Sequence, residues 1–93
     1  MNLTLNAAAE IAIRTLGEED RRKVHALIDH LRLWDTDPSV RSLARSLDLP
    51  DAENVYVLRT STDLGIFFEI EKDSIEVIDV ARRASLDKVR RAS

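Results

Sequence analysis

The residues able to do chemistry in this 93-residue chain are few, and most of them are arginines. There is no cysteine, so a thiolate nucleophile, a disulfide framework and a thiolate metal site are excluded. The two histidines, His25 and His30, are five apart on one predicted helix, off its apolar stripe and out of step with the i, i+4 spacing of paired ligands. They read as surface imidazoles. Ser85 and Ser93 have no partner base. Asp29, Asp35 and Asp37 lack the glycine and terminal glutamate of a calcium loop. With Gly17 and Gly65 the only glycines, no glycine-rich phosphate cradle can form. Neither a metal nor a cofactor is expected. What remains is positive charge.

The formal charge of −3 is unevenly spread. Residues 1 to 45 carry seven basic and seven acidic groups, residues 46 to 80 two and nine, and residues 81 to 93 five and one. The segment from Ala81 to Arg91, with Arg82, Arg83, Lys88, Arg90 and Arg91, is thus a basic patch behind an acidic body. Such a patch attracts phosphates or an acidic protein surface, or simply solvates a tail.

These side chains must be positioned by one small domain spanning residues 1–93, with 82–93 a basic tail or short helix. Its 44% hydrophobic content supports a packed core. No apolar run is long enough for a membrane span or a secretory leader, so the expected compartment is the cytosol. Leu3-Thr4-Leu5 predicts a brief strand and Asn6 a helix cap. A short helix over 7–16 follows, ended by Gly17 in the left-handed conformation. Val24, Leu27, Ile28, Leu31 and Trp34 form the apolar stripe of a second helix, with Trp34 as a core anchor. Asp37-Pro38 predicts a third helical start, carried on by Val40, Leu43 and Leu47 and ending before Pro50.

Beyond it, residues 54–60, 64–71 and 74–80 read as three antiparallel strands joined by short turns at 61–63 and 72–73. The layout is α+β: a short N-terminal strand, two helices, a three-stranded meander and a basic tail. Strict alternation puts Leu64, Ile66, Phe68 and Ile70 on one face of the middle strand, with Gly65, Phe67, Glu69 and Glu71 on the other. Val55, Val57 and Arg59 then alternate with Tyr56, Leu58 and Thr60, and Ile75, Val77 and Asp79 with Glu76, Ile78 and Val80. Both faces are partly apolar. The helices cover one of them, so a second cover is expected from a partner, a second copy or the chain's own tail.

The succession Leu3-Thr4-Leu5, the helix junction from Leu16 to Val24, and the strands Val55-Tyr56-Val57-Leu58-Arg59, Ile66-Phe67-Phe68-Glu69-Ile70 and Ile75 to Arg83 resembles the RelE/ParE toxin superfamily of toxin-antitoxin pairs. The resemblance spans roughly Leu3 to Val89. It implies a toxin neutralised by a cognate antitoxin, acting either by cleaving messenger RNA on the ribosome or, in the ParE-like branch, by poisoning DNA gyrase; a non-catalytic relic that only binds its partner is a further alternative. Nucleases of this kind need basic side chains around the scissile phosphate. Gly65 stands at the family's middle-strand arginine, and Val55 and Val57 at its lysines. Arg83, in the closing V-x-x-R pattern, and Arg59 are the catalytic candidates that remain; Arg82, Arg83 and Lys88 are the nucleic-acid contacts, unless the arginines pair with Glu69, Glu71 or Asp79 across strands. Val55, Val57 and Phe67 are the expected partner-binding surface. A homodimer through the outer sheet face is the remaining possibility.

Overall fold

The computed structural model describes residues 1–47, 54–60 and 63–82. Its elements run β1 (Asn2–Leu5), α1 (Ala7–Thr15), α2 (Glu18–Leu31), α3 (Pro38–Leu43), β2 (Ala44–Ser46), β3 (Val55–Arg59), β4 (Leu64–Glu71) and β5 (Ser74–Arg82). The five strands form one sheet in the order β1-β5-β4-β3-β2. β1 runs parallel to β5, and the other neighbours are antiparallel. The α+β layout expected from sequence is the one observed.

Each helix begins for a local reason. Asn6 caps α1, its side-chain oxygen accepting from the Ala9 N–H at 2.9 Å. Gly17 does not end α1 in a left-handed turn: its φ is −61° and it serves as the N-cap of α2. The two helices abut so closely that Leu16, the C-cap of α1, is followed directly by the N-cap of α2, and both residues are extended. Glu18, Glu19 and Asp20 then sit in the first turn of α2, where the helix dipole favours negative charge. The stripe on α2 turns inward: Val24, Ile28 and Leu31 are buried, and Leu27 and Trp34 pack at the margin of the core. His25 and His30 are exposed.

α3 starts at Asp37-Pro38 as expected, with the Asp37 carboxylate accepting from the Ser39 hydroxyl at 2.6 Å and the Ser39 N–H at 3.0 Å. These two bonds, the hydroxyl first, with the nearby charges of His30 and Arg41, hold the Asp37 carboxyl below its ordinary value of 3.8. A depressed folded-state value means that the contribution to stability is complete above pH 3.8 and is lost as pH falls below it. Asp37→Asn is therefore expected to flatten the decline of the thermal midpoint between about pH 5 and about pH 2. Parallel melts of parent and variant at those pH values check it.

The helix is shorter than the sequence suggests. It stops at Leu43, and Ala44–Ser46 become β2, antiparallel to β3 with Ala44 opposite Leu58 and Ser46 opposite Tyr56. Val40 is buried, whereas Leu43 is 60% exposed. Asn54, just before β3, is the one non-glycine residue with positive φ (64°) among those described. Asn tolerates that conformation because its short polar side chain can bond locally.

The helix-side core gathers Ala9 and Ile13 of α1, the α2 stripe, Val40, and Leu58, Leu64, Ile66, Phe68, Ile75, Val77 and Val80 of the sheet. Trp34, Tyr56 and Phe68 form an aromatic trio, with Tyr56 and Phe68 stacked at 5.7 Å and Trp34 edge-on to Phe68 at 5.6 Å. β4 keeps the expected alternation. β5 does not, because Phe67 pairs with Asp79 while Phe68 pairs with Val77, leaving Ile78 as a bulge. The extra residue reverses the alternation. Ile75 and Val77 face the helices, but so do Val80 and Arg82, while Asp79 moves to the outer face with Glu76. Arg82 belongs to β5 and not to the tail. No helix among the described residues is long and apolar enough to cross a membrane.

Candidate functional site

The outer face of the sheet can be read row by row from the register. One row holds Arg59 of β3, Gly65 of β4 and Ala81 of β5. The next holds Arg45 of β2, Val57, Phe67 and Asp79. A third holds Val55, Glu69, Glu76 and Thr4 of β1. Arg45 and Arg59 are therefore diagonal neighbours on one face, and both are exposed. Neither makes an ion pair among the described residues. The opposite half of the face is acidic, with Glu69 directly across from Glu76 and Asp79 one row away.

This face is electrically divided, and an anion approaching it is drawn to the β2–β3 side and repelled from the β4–β5 side. The net charge of the chain says nothing of this. Pairing of Arg59 with Glu69, Glu71 or Asp79 does not occur; its cross-strand neighbour is Gly65. Arg45 had no signal in the sequence, since Ala44-Arg45-Ser46 carries no alternation of apolar residues and only the ladder to β3 reveals which way it faces.

Between the two halves lie Val55, Val57 and Phe67, the residues expected to meet a partner. They are only 5%, 5% and 8% exposed within the single chain. Part of the reason is Gly65. A Cβ built there would lie 3.0 Å from Val57 Cγ2 and 3.5 Å from the Phe67 ring, so the space a side chain would take is already filled by these two. What a side chain at 65 would meet is crowding by Val57 and not backbone strain, since the glycine's φ is not positive.

Arg82 is not part of this face. The bulge turns it to the helix side, where Nη1 donates to Asp63 Oδ1 at 3.0 Å and Nη2 to Asp20 Oδ2 at 3.4 Å. Its charge is taken up by two carboxylates, and it is separated from Arg59 by the thickness of the sheet. Arg82, expected from sequence as a phosphate contact, thus bridges α2 and the residue before β4 on the helix side of the sheet. Tyr56 also points to the helix side, in the aromatic trio. Arg83 and Lys88 lie outside the described residues. No group of three His, Asp or Glu among the described residues is placed to hold a metal ion.

No family profile matches the chain, and no curated protein matches it significantly in sequence. Solved structures do match in fold. A chain of the RelB-RelE antitoxin-toxin complex from Methanococcus jannaschii superposes with a TM-score of 0.69 at 14% identity, over 92% of this chain and 96% of that one. The isolated E. coli RelE toxin gives 0.62 at 16% identity, over 99% and 98%. A chain of the chromosomal ParDE system from P. aeruginosa gives 0.58 at 15% identity, over 88% and 95%. Near-complete coverage in both directions means that the same elements follow in the same order with little inserted or lost. The chain thus has the fold seen in the RelE and ParE toxin structures.

Proposed function

We propose that this chain is the toxin of a toxin-antitoxin pair, acting by cleavage of messenger RNA and neutralised by a cognate antitoxin. The observation that carries this reading is the exposed pair Arg45 and Arg59 on the outer face, free of carboxylate partners among the described residues. Cleavage of RNA by its own 2′-hydroxyl builds negative charge on the phosphorane, and fixed cations beside it lower that barrier. Arg59 and Arg45 supply such charge here, and Arg83 is the third arginine assigned to the phosphate. Likeness in fold to an isolated RelE toxin supports the same reading.

Expression of the chain alone in bacteria, with mapping of message ends, tests it. Growth arrest with ribosome-dependent cuts that vanish in Arg59→Ala and Arg83→Ala is the expected result. Intact messages in arrested cells, with breaks in DNA, select a gyrase poison. That second reading is favoured by Gly65, Val55 and Val57, which leave uncharged the three strand positions where a nuclease of this family carries basic groups, and by the likeness to ParDE.

A further inference from the structure

We infer that Asp79 is the general base of the cleavage, the group that takes the proton of the attacking 2′-hydroxyl; this rests on the nuclease reading above. Such a transfer needs a proton acceptor beside the phosphate, and arginine, which stays protonated, cannot supply it. On the outer-face rows the side chains able to accept a proton from an alcohol are the carboxylates of Glu69, Glu76 and Asp79. Glu69 and Glu76 stand directly opposite each other and are half-buried, whereas Asp79 is exposed and shares the row of Arg45.

Asp79 reaches this face because of the bulge. Uninterrupted alternation along β5 would put it with Ile75 and Val77 on the helix side, and the extra residue at Ile78 turns it outward, toward the face that carries Arg45 and Arg59. Its carboxyl is then held in place, Oδ1 accepting the Val80 N–H at 2.8 Å. Between the Cα atoms of Arg59 and Asp79 lie two interstrand spacings and one same-face step along the strands, about 12 Å in all. The line joining them crosses β4 between Phe67 and Gly65, which has no side chain. One ribose-phosphate unit laid along that line puts its phosphate toward the arginines and its 2′-hydroxyl toward Asp79. The divided charge of the face thus matches the two parts of the substrate: cations for the phosphate, a carboxylate for the hydroxyl.

In the step itself the 2′ oxygen bonds to phosphorus while its proton passes to the Asp79 carboxylate. The bond from phosphorus to O5′ breaks, its electron pair leaves with O5′, and O5′ takes a proton from water. The products are a 2′,3′-cyclic phosphate and a 5′-hydroxyl end, and Asp79 returns its proton to solvent.

The test is cleavage of ribosome-bound message by purified protein, with kcat and KM measured separately. Asp79→Asn keeps an oxygen to accept the Val80 N–H but has no carboxylate; kcat should fall about a hundredfold or more, with KM within about twofold of the parent. Asp79→Glu restores a carboxylate and should recover part of the loss. Glu76→Gln removes the same charge from the same half of the face and should leave kcat within about twofold of the parent. Urea midpoints of all three should stay close to the parent's. An Asp79→Asn protein with the parent's kcat, an equal loss in Glu76→Gln, or a loss matched by a fall in the folded fraction overturns the inference and leaves the nuclease reading standing. A parent protein that cleaves no message overturns both.

Discussion

Phe68→Ala is expected to lower the unfolding free energy by about 3–5 kcal/mol, as deletion of a large aromatic ring from a closed core does. Phe68 is fully buried on the central strand β4, and its ring is the one that Trp34 and Tyr56 both meet. The cavity left behind adjoins Ile66, Leu58 and Val77 on the sheet's helix side, and rigid strands give little room for it to collapse. Against the ~5–15 kcal/mol typical of a domain, that is about a fifth of the total or more. Urea denaturation checks it: the midpoint should fall sharply with the slope preserved. Leu43→Ala, at a site 60% exposed, should change stability by less than about 0.5 kcal/mol and serves as the comparison. A midpoint for Phe68→Ala close to that of Leu43→Ala would show that the trio contributes little.

The second large effect concerns Gly65→Arg, the substitution that would install the arginine expected there from the family resemblance. It is expected to destabilise the fold by about 3 kcal/mol and to yield no gain in message cleavage. Val57 and Phe67 occupy the space from 3.0 Å outward, Gly65 is buried, and a guanidinium forced between them must displace both before it reaches solvent. Gly65→Ala meets the same Val57 methyl with a single carbon and should lose much less. The measurement is again urea denaturation, alongside message mapping in cells that express each variant. An arginine variant that is as stable as the parent and cleaves faster would mean that Phe67 can swing aside, and the glycine would then be a tunable position and not a packed one.

How far the sequence reveals this molecule depends on the length over which a pattern repeats. The stripe from Val24 to Trp34 runs through about three turns and announces its face without ambiguity, and Asp37-Pro38 marks a helix start by chemistry that needs no tertiary context. β2 has three residues, Ala44 to Ser46, with no apolar alternation, and exists because β3 offers a row of backbone groups to pair with. It therefore reads as the tail of a helix. The bulge at Ile78 defeats alternation for a different reason: Ile75, Val77, Ile78 and Val80 are all β-formers, so nothing in their types says which one is extra.

The site suffers from the same two blind spots. Arg59 is placed correctly on the outer face because β3 is regular. Arg45 is missed along with β2, and Arg82 is placed with Arg59 when the bulge puts the sheet between them. Its pairing with Asp20, 62 residues away, has no local sequence signal at all.

The parallel pairing of β1 with β5 joins Asn2 to Ser74, across most of the chain. During synthesis, at about 5–20 residues per second, the first strand leaves the ribosome several seconds before its partner is made. Until then β1 has no ladder to join, and α1, which packs chiefly on β5, has no surface to cover. The sheet closes only after the final strand emerges, so a truncated or stalled product lacks the scaffold that holds the outer face. For a protein proposed to arrest its own host, topology alone delays the finished fold until the β5 segment has been made.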